Sequence, residues 1–398
     1  MDVKFHVERV LNNLFLLRVD DARVRFFEAL WEIPEGVTYN AYLLTTEEGA
    51  VLFDGWKQEF SDAFVEALQR LIDPRDIRAV VTHHAEPDHS GTTGKLAEVA
   101  PRALFVGHPI AGRILRSHFG VERFKPLMDG EALELGGYRI RAVHTPWLHW
   151  PDSIVTSIEG EGVLLTCDVF GSYSIPPLFD DQADLAKLSR SIRKYIITVI
   201  GHYIDWIPKG IEKVSKAVGR PRIIAPGHGV VYRSNPQWVV EEYLRVASGQ
   251  PVKGKVVLTG LTMYGNVGKA METVREEMEA NGWRAVYYGF NDKERPPISE
   301  VLTDASDAEL LIIGTPVYEA QPHPIIDHLI KLIAAKLPHR KSMPILILAS
   351  YGWSPGATGK HVSELLIKQG FSRVMIIDFE GAQLKPSIED ELQALIAR

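Results

Sequence analysis

The feature that most constrains the fold is a regular alternation of short apolar runs and amphipathic segments after residue 254. Parallel strands need a crossover connection, usually a helix, whereas antiparallel strands can be joined by a tight turn. Five strands that alternate with five helices therefore predict an α/β fold with a doubly wound parallel five-stranded sheet. The strands are predicted at residues 255–259, 284–288, 309–313, 345–349 and 373–378, and the helices at 267–281, 298–306, 324–335, 357–369 and 388–397.

The chain before residue 250 has a different pattern, with many short strand signals and fewer helices. This pattern predicts a mixed α/β domain whose polar residues gather at strand ends. Strands are predicted at residues 41–44, 50–53, 79–82, 103–106, 138–143, 153–159 and 163–166, and helices at 61–71, 91–99, 182–199 and 210–218. Two glycines and a proline within Ser248–Gly254 are typical of a linker. The sequence therefore predicts two domains, at residues 1–250 and 254–398.

Charge and cysteine content exclude several classes of protein. The net charge is −7, so the clustered positive field of a nucleic-acid-binding or anionic-membrane-binding surface is not expected. The single cysteine, Cys167, excludes disulfides within the chain and a four-cysteine iron site. The first ten residues contain no apolar signal-peptide core, and apolar runs such as Pro344–Ala349 have the length of strands. We expect a cytoplasmic protein that binds neither nucleic acid nor membrane.

Residues 82–91 read Thr-His-His-Ala-Glu-Pro-Asp-His-Ser-Gly and follow a predicted strand. Alternate side chains after a strand point to the same side, so His84, Glu86 and Asp88 can converge, with His89 beside them. Burying two carboxylates and two imidazoles together is costly without a cation. The string therefore predicts a dimetal centre. His83 is out of register, so we expect it to lie behind the metal ligands or at the surface.

This string resembles the metal motif of the metallo-β-lactamase superfamily and, within it, that of the flavodiiron proteins (A-type flavoproteins). Hydrolases of the superfamily usually carry H-x-H-x-D-H, and Glu86 replaces the second histidine here. Carboxylate-richer ligation suits iron better than zinc. The further motifs of the family are also present: His149 in His-Trp-Pro-Asp-Ser, Asp168 after the strand at 163–167, and His228 in Pro-Gly-His-Gly.

The resemblance implies a metallo-β-lactamase-like αββα sandwich with two non-haem irons. One iron would be bound by His84, Glu86 and His149, and the other by Asp88, His89 and His228, with Asp168 as the bridge. His144 is expected to be a packed histidine. Preference between substrates is expected to depend on residues around the ligands, for which the candidates are His83, His144, Trp147 and Tyr173.

Three segments of the second domain predict a flavin site. Residues 261–267 offer hydroxyl, amide and backbone donors at a helix N-terminus, which suit a phosphate monoester. Asn266 stands where a triphosphate-binding loop needs lysine. Loops after neighbouring parallel strands meet at the carboxyl edge of the sheet, where a flavin binds. The predicted contacts are Thr262, Met263, Tyr264, Gly265, Asn266, Val267, Thr315, Pro316, Val317, Tyr318, Ser350, Tyr351, Gly352 and Trp353.

The second domain resembles the FMN-binding flavodoxin-like domain of flavodiiron proteins. Its loop matches the Ser/Thr-Met-Tyr-Gly-Asn pattern of the family, but Val267 stands where a further Thr or Ser is usual. One hydroxyl toward the phosphate would therefore be absent. The resemblance covers essentially the whole chain in the domain order of the family.

The resemblance implies an oxidoreductase that passes electrons from FMN to a diiron centre, which reduces O2 to water, NO to N2O, or both. It also implies a head-to-tail homodimer or a dimer of dimers. An external donor, namely a rubredoxin, a reductase or a reduced deazaflavin, would supply the electrons. Two alternatives remain: a dizinc hydrolase with an appended flavodoxin-like domain, and an electron carrier whose first domain is only a scaffold.

Overall fold

The computed structural model describes residues 3–384 and 388–397, and the chain divides into two compact units. The first unit contains the chain up to Ile196 together with Asp205–Leu244. The second contains Ile197–Ile204 and the chain from Arg245 onward.

The first unit is built on two large sheets and one small hairpin. The larger sheet has the strand order β1-β2-β5-β6-β7-β8-β9, the second sheet has the order β10-β11-β12-β13-β14, and β3 pairs with β4. These strands are β1 (Val3–Leu11), β2 (Leu14–Asp21), β3 (Phe26–Phe27), β4 (Trp31–Glu32), β5 (Val37–Thr46), β6 (Gly49–Phe53), β7 (Ile77–Thr82), β8 (Leu104–Gly107), β9 (Phe124–Pro126), β10 (Ala132–Leu135), β11 (Tyr138–His144), β12 (Ile154–Ile158), β13 (Val163–Cys167) and β14 (Ile223–Pro226).

Apolar side chains of both large sheets form one buried cluster, which includes Phe53 and Val81 from one sheet and Ile140 and Leu165 from the other. Alternate residues of each strand point toward the other sheet, and burial of these apolar side chains stabilises the packing of the two sheets. The helices are α1 (Ser61–Gln69), α2 (Pro87–Ser90), α3 (Thr93–Val99), α4 (Pro109–Phe119), α5 (Leu185–Tyr195), α6 (Trp206–Val218) and α7 (Pro236–Ala247), the last of which crosses the division at Leu244.

The structure corrects several predicted elements of this unit. Strands β1 and β2 and helices α4 and α7 were not predicted. The helix predicted over 182–199 begins at Leu185 and is α-helical only to Tyr195, after which Ile196–Ile200 form a π-helix. Helix α4 did carry local signals, because Pro109 occupies its first turn and Gly120 ends it with a φ of 67°.

The second unit confirms the predicted doubly wound parallel sheet. Its strand order is β16-β15-β17-β19-β20, and every pair along this path is parallel, while β18 adds an antiparallel edge to β17. The strands are β15 (Lys255–Leu261), β16 (Arg284–Phe290), β17 (Leu310–Tyr318), β18 (Gln321–Pro322), β19 (Ile345–Tyr351) and β20 (Val374–Glu380). The helices are α8 (Asn266–Ala280), α9 (Ile298–Ala305), α10 (Pro324–Lys336), α11 (Ala357–Lys368) and α12 (Glu389–Ala397).

One buried histidine of the second unit makes stability depend on pH. Burial and the nearby charge of Arg340 lower the pKa of His339 from 6.5 to about 4. Neither ring nitrogen has a hydrogen-bond partner among the described residues. Because the folded pKa lies below the unfolded one, His339 opposes folding progressively as the pH falls from 6.5 toward 4.

We therefore expect the free energy of unfolding to fall by up to about 3 kcal/mol more in the parent protein than in a His339→Gln variant over this pH range. Denaturant unfolding of both proteins at several pH values measures their free energies of unfolding. Titrating groups that the two proteins share cancel when one value is subtracted from the other. Parallel curves for the two proteins would contradict the prediction.

Candidate metal centre

The seven predicted metal ligands lie at or beyond the carboxyl ends of strands β7, β11, β13 and β14. Pro87 starts the short helix α2 at its first position, where proline is favoured because no intrahelical hydrogen bond is lost. This turn brings Asp88 and His89 back toward the loop that carries His84 and Glu86. The structure brings all seven side chains into one cluster.

One half of the cluster contains two histidines around one carboxylate. Glu86 Oε2 lies 3.1 Å from His84 Nε2 and 2.9 Å from His149 Nε2. The same two imidazole nitrogens lie 3.8 Å and 3.7 Å from Asp168 Oδ2. The side chains of His84, His149 and Asp168 are almost fully buried, and that of Glu86 is 17% exposed.

The other half has the same form on the opposite side of Asp168. His89 Nε2 lies 3.1 Å from Asp168 Oδ1 and 3.7 Å from Asp88 Oδ1. His228 Nε2 lies 3.4 Å from Asp168 Oδ1 and 3.3 Å from Asp88 Oδ2. The two oxygens of Asp168 therefore face different halves of the cluster, as a bridging carboxylate between two metals would.

Buried polar atoms without partners indicate that the cluster is suited to cations. Both carboxylate oxygens of Asp88 and Nε2 of His228 are buried and have no hydrogen bond of acceptable geometry among the described residues. Native proteins rarely leave such groups unsatisfied. Metal ions would satisfy these atoms, and the nitrogen and oxygen donors present are those that bind iron and other first-row metals.

The charges within the cluster support the same conclusion. Burial alone would raise the pKa of Asp168, but the hydrogen bond of His89 and the nearby charges of His89 and His149 hold it well below its ordinary value. Burial opposes protonation of His228, yet the carboxylates of Asp168 and Asp88 outweigh it and raise its pKa to about 10. The carboxylates thus require compensating positive charge, which metal ions supply with release of the imidazole protons.

Neighbouring groups orient two of the histidines through their second ring nitrogen. Asp152 accepts from Ala85 N at 2.9 Å, and its other oxygen lies 3.2 Å from His84 Nδ1. His228 Nδ1 lies 2.6 Å from the carbonyl oxygen of Thr38. Contacts of this kind fix the ring orientation of metal-binding histidines, so that Nε2 faces the metal.

Tyr195 is a residue of the centre that the sequence did not reveal. Its hydroxyl donates to Asp168 Oδ1 at 2.7 Å, and its side chain is fully buried. Tyr195 lies near the end of α5, where an apolar or aromatic residue is expected for packing alone, so no local pattern marks it. Only the tertiary structure brings it to Asp168.

The residues proposed around the ligands have different surroundings. His83 lies between Asp54 Oδ2, 2.6 Å from its Nδ1, and Thr156 Oγ1, 2.7 Å from its Nε2, and is buried. Tyr173 packs edge-on against Tyr195, with ring centroids 5.2 Å apart. His144 stacks on His108, and Trp147 is half-buried in the turn before His149.

The predicted flavin segments lie together at the carboxyl edge of neighbouring strands β15, β17 and β19. Residues 262–267 connect β15 to α8 and begin its first turn, and Thr262 Oγ1 accepts from Gly265 N at 2.9 Å. Three aromatic side chains of these segments are exposed, namely Tyr264 at 91%, Trp353 at 57% and Tyr318 at 37%.

Two of these segments were predicted as loops and are partly strand. Residues 314–318 continue β17, where Thr315 and Pro316 pair with β19, and Ser350 and Tyr351 continue β19 itself. These strands are extended because adjacent strands pair with their last residues: β18 and β19 pair with β17, and β17 and β20 pair with β19. The local sequence does not reveal this pairing. The side chains of Thr315 and Ser350 are buried, and they donate to the carbonyl oxygens of Pro316 and Gly381.

Comparison with known proteins identifies the family. The chain is similar to the solved structure of a variant flavo-diiron protein from Thermotoga maritima, with a TM-score of 0.93 and 35% identity, covering 100% of this chain and 99% of the other. This chain belongs to the flavodiiron proteins. Residues 37–229 of this flavodiiron protein also match the family described as ODP family beta lactamase, which confirms the metallo-β-lactamase-like fold of the first unit.

Curated relatives of this flavodiiron protein carry oxidoreductase names. The nitric oxide reductase of Moorella thermoacetica is 27% identical, covering 87% of this chain and 86% of the relative. The rubredoxin-oxygen oxidoreductase of Megalodesulfovibrio gigas is 29% identical, covering 91% and 90%. These names favour the oxidoreductase interpretation over the hydrolase alternative. None of the helices in residues 3–384 and 388–397 is long and apolar enough to cross a membrane.

Val267 departs from the usual pattern of flavodiiron proteins, and the structure gives a physical reason why it is tolerated. Its side chain is 2% exposed and belongs to the core cluster of the second unit. A Cβ placed on Gly314 would lie 2.8 Å from Val267 Cγ1, so the valine packs closely against strand β17. The missing hydroxyl is thus replaced by an apolar contact beneath the loop.

Proposed function

We propose that this flavodiiron protein is an oxidoreductase that passes electrons from bound FMN to a diiron centre, where O2 is reduced to water, NO to N2O, or both. The observation that carries the proposal is the convergence of seven predicted ligands on two halves of one buried cluster, with Asp168 between them. The oxidoreductase names of its relatives support the same reaction class.

In this proposal His84, Glu86 and His149 would hold one iron, Asp88, His89 and His228 would hold the other, and Asp168 would serve both. When bound, the irons supply electrons and adjacent coordination positions for a small diatomic oxidant. The carboxylates of Glu86, Asp88 and Asp168 offset the positive charge of the metals. Asp152 and the Thr38 carbonyl keep the histidines aimed at the centre.

The surrounding side chains shape the chemistry. Tyr195 donates a hydrogen bond to Asp168 Oδ1 and so fixes the orientation of this carboxylate. Phe27 and Tyr39 pack edge-on against the His228 ring and keep water from that side of the cluster. A water-poor centre strengthens electrostatic interactions within it.

Removal of the Tyr195 hydroxyl tests this arrangement. We expect Tyr195→Phe to lower metal affinity by about 10- to 100-fold, the usual effect of losing a partner of a metal ligand. Metal release to a chelator measures the change. Tyr243→Phe is the matched control, since its buried hydroxyl donates to the Gly171 carbonyl at 2.8 Å and contacts no proposed ligand. Equal release from Tyr195→Phe and parent protein would contradict the prediction.

We propose that the FMN phosphate binds at the N-terminus of α8, with backbone donors of residues 263–266 and the Thr262 hydroxyl. The exposed rings of Tyr264, Tyr318 and Trp353 would flank the isoalloxazine, since large apolar rings at such an edge otherwise remain in water. The remaining predicted contacts would be made by backbone groups of residues 315–318 and 350–353.

We further propose that the protein acts in the cytoplasm as a head-to-tail homodimer or dimer of dimers, with electrons from an external rubredoxin, reductase or reduced deazaflavin. The name of the Megalodesulfovibrio relative includes rubredoxin, which supports a donor of that class. The single cysteine rules out a rubredoxin site within this chain.

Metal and flavin content of the purified protein tests the proposed function. Elemental analysis and visible absorption of one sample should give about two irons and one FMN per chain, in the proportions that the proposed sites require. Anaerobic reduction, followed by separate O2 and NO turnover assays, then identifies the substrate. Two zinc ions per chain after growth in iron-replete medium would instead favour the hydrolase alternative.

A further inference from the structure

A small hairpin over the metal centre carries a carboxylate that the proposed function does not use. Strands β3 and β4 are joined by a turn in which Leu30 N donates to the Phe27 carbonyl at 3.0 Å. Glu28 and Ala29, the two central residues of the turn, have φ values of 49° and 56°. This left-handed conformation favours glycine, asparagine or aspartate, so the turn itself does not explain a glutamate.

The hairpin is anchored directly on the centre. Phe27 is 5% exposed, and its ring packs edge-on against His228 at 5.8 Å and Tyr173 at 5.4 Å between centroids. Trp31 is 1% exposed and donates its indole N–H to Glu28 Oε2 at 3.1 Å. The backbone of the turn is thereby fixed beside the metal cluster, while the Glu28 side chain remains exposed.

Glu28 reaches the half of the cluster that is most open. A carboxylate oxygen of Glu28, one of Glu86 and a ring nitrogen of His149 all lie within 4.8 Å of one another. Ligand atoms of one first-row metal are about 2.0–2.2 Å from it, and hence roughly 3–4 Å apart. A small rotation of the exposed Glu28 side chain therefore suffices to place it among the ligands of one ion.

The charges and the donor atoms of this group suit a cation. A cation between two neighbouring carboxylates reduces their mutual repulsion. The group Glu28, Glu86 and His149 offers the mixed oxygen and nitrogen donors that first-row metals accept.

We propose that Glu28 is an exchangeable carboxylate ligand of the metal that His84, Glu86 and His149 bind. In this role Glu28 would add a carboxylate to that metal at the exposed side of the centre, and the Trp31 indole N–H would keep the carboxylate nearby when it is not bound. The inference rests on the proposed function, because it assigns an eighth protein ligand to the same metal pair.

Cobalt substitution tests the inference without turnover. Metal-free protein is loaded with Co2+, whose visible absorption becomes more intense as its coordination number falls. We expect Glu28→Gln and Glu28→Ala to intensify this absorption. We also expect them to speed release of one of the two Co2+ ions to a chelator by at least about 10-fold, the lower limit for losing a group that supports a metal site.

Glu32→Gln is the matched control, because Glu32 lies on β4 of the same hairpin and outside the metal-binding groups found among the described residues. The control should match the parent in spectrum and release. Near-UV circular dichroism of each variant checks that the packing around Trp31 is unchanged. Glu28→Gln also preserves the shape of the side chain. Glu28 variants with parent-like spectra and release would overturn the inference.

The cobalt experiment distinguishes absence of the metal pair from absence of a role for Glu28. Parent protein that takes up no pair of Co2+ ions would overturn the metal pair, and with it the proposed function. Parent protein that binds two ions, together with Glu28 variants that behave like Glu32→Gln, would overturn the role of Glu28 alone.

Discussion

Asp168→Asn is expected to abolish binding of the metal pair and to reduce O2 or NO turnover by more than about 100-fold. This loss exceeds the roughly 10- to 100-fold effect of removing a residue that contacts only a metal ligand. The physical reason is that the two oxygens of Asp168 face different histidine pairs, so one substitution weakens both halves. Asparagine keeps the shape but removes the negative charge and replaces one oxygen by an N–H donor. Elemental analysis and turnover of the purified variant measure the effect.

Asp152→Asn is the control for this prediction. Asp152 contacts His84 and the Ala85 amide rather than the centre itself. We expect a smaller change of about 10- to 100-fold in metal affinity, with two metals still bound at saturation. An Asp168→Asn protein that retains two metals per chain and parent-like turnover would contradict the bridging role.

Removal of the metals by chelation should lower the melting temperature by about 10 °C. Ligand at about 1,000 times its Kd stabilises a folded protein by roughly 4 kcal/mol, and each kcal/mol shifts the midpoint by about 2–4 °C for a unit of this size. Without metals, the Asp88 oxygens and His228 Nε2 remain buried and unsatisfied. Differential scanning calorimetry with and without chelator measures the shift.

The Asp168→Asn variant provides the control for chelation, since a protein that holds no metal pair should melt at the same temperature with and without chelator. A parent protein whose melting temperature is unaffected by complete metal removal would show that the cluster does not depend on metals for stability.

The second unit was predictable in its elements because its local signals agree with its tertiary structure. Each predicted strand and helix is present, with ends moved by a few residues, as for α8 and β16. The errors arise where pairing or packing extends an element, as in β17, which continues to Tyr318 because β18 and β19 pair with it.

The first unit was less predictable because its elements depend on distant partners. The helix predicted to Val199 changes to a π-helix after Tyr195 in a fully buried apolar segment. An apolar run of this kind fits several helical geometries, and packing selects one of them.

Four candidate metal ligands, His84, Glu86, Asp88 and His89, could be named from one short string after a strand, where alternation and the cost of burying charge restrict what they can do. The other three came from the motifs of the family that the sequence resembles. Tyr195 and Glu28 could not be named in either way. Tyr195 lies 27 residues from Asp168 and contacts it through packing of α5, and Glu28 comes near Glu86 only because Phe27 and Trp31 anchor its hairpin.

The sequence by itself therefore determined the α/β class, the parallel second sheet and the string of candidate ligands at residues 84–89, since these depend on periodicity and on residues close together in the chain. Only the tertiary structure decided which oxygen of Asp168 faces which histidines, that Val267 belongs to the core, and that Glu28 reaches the centre. These features depend on contacts between segments far apart in sequence, whose positions are set by the packing of the whole unit rather than by any local pattern.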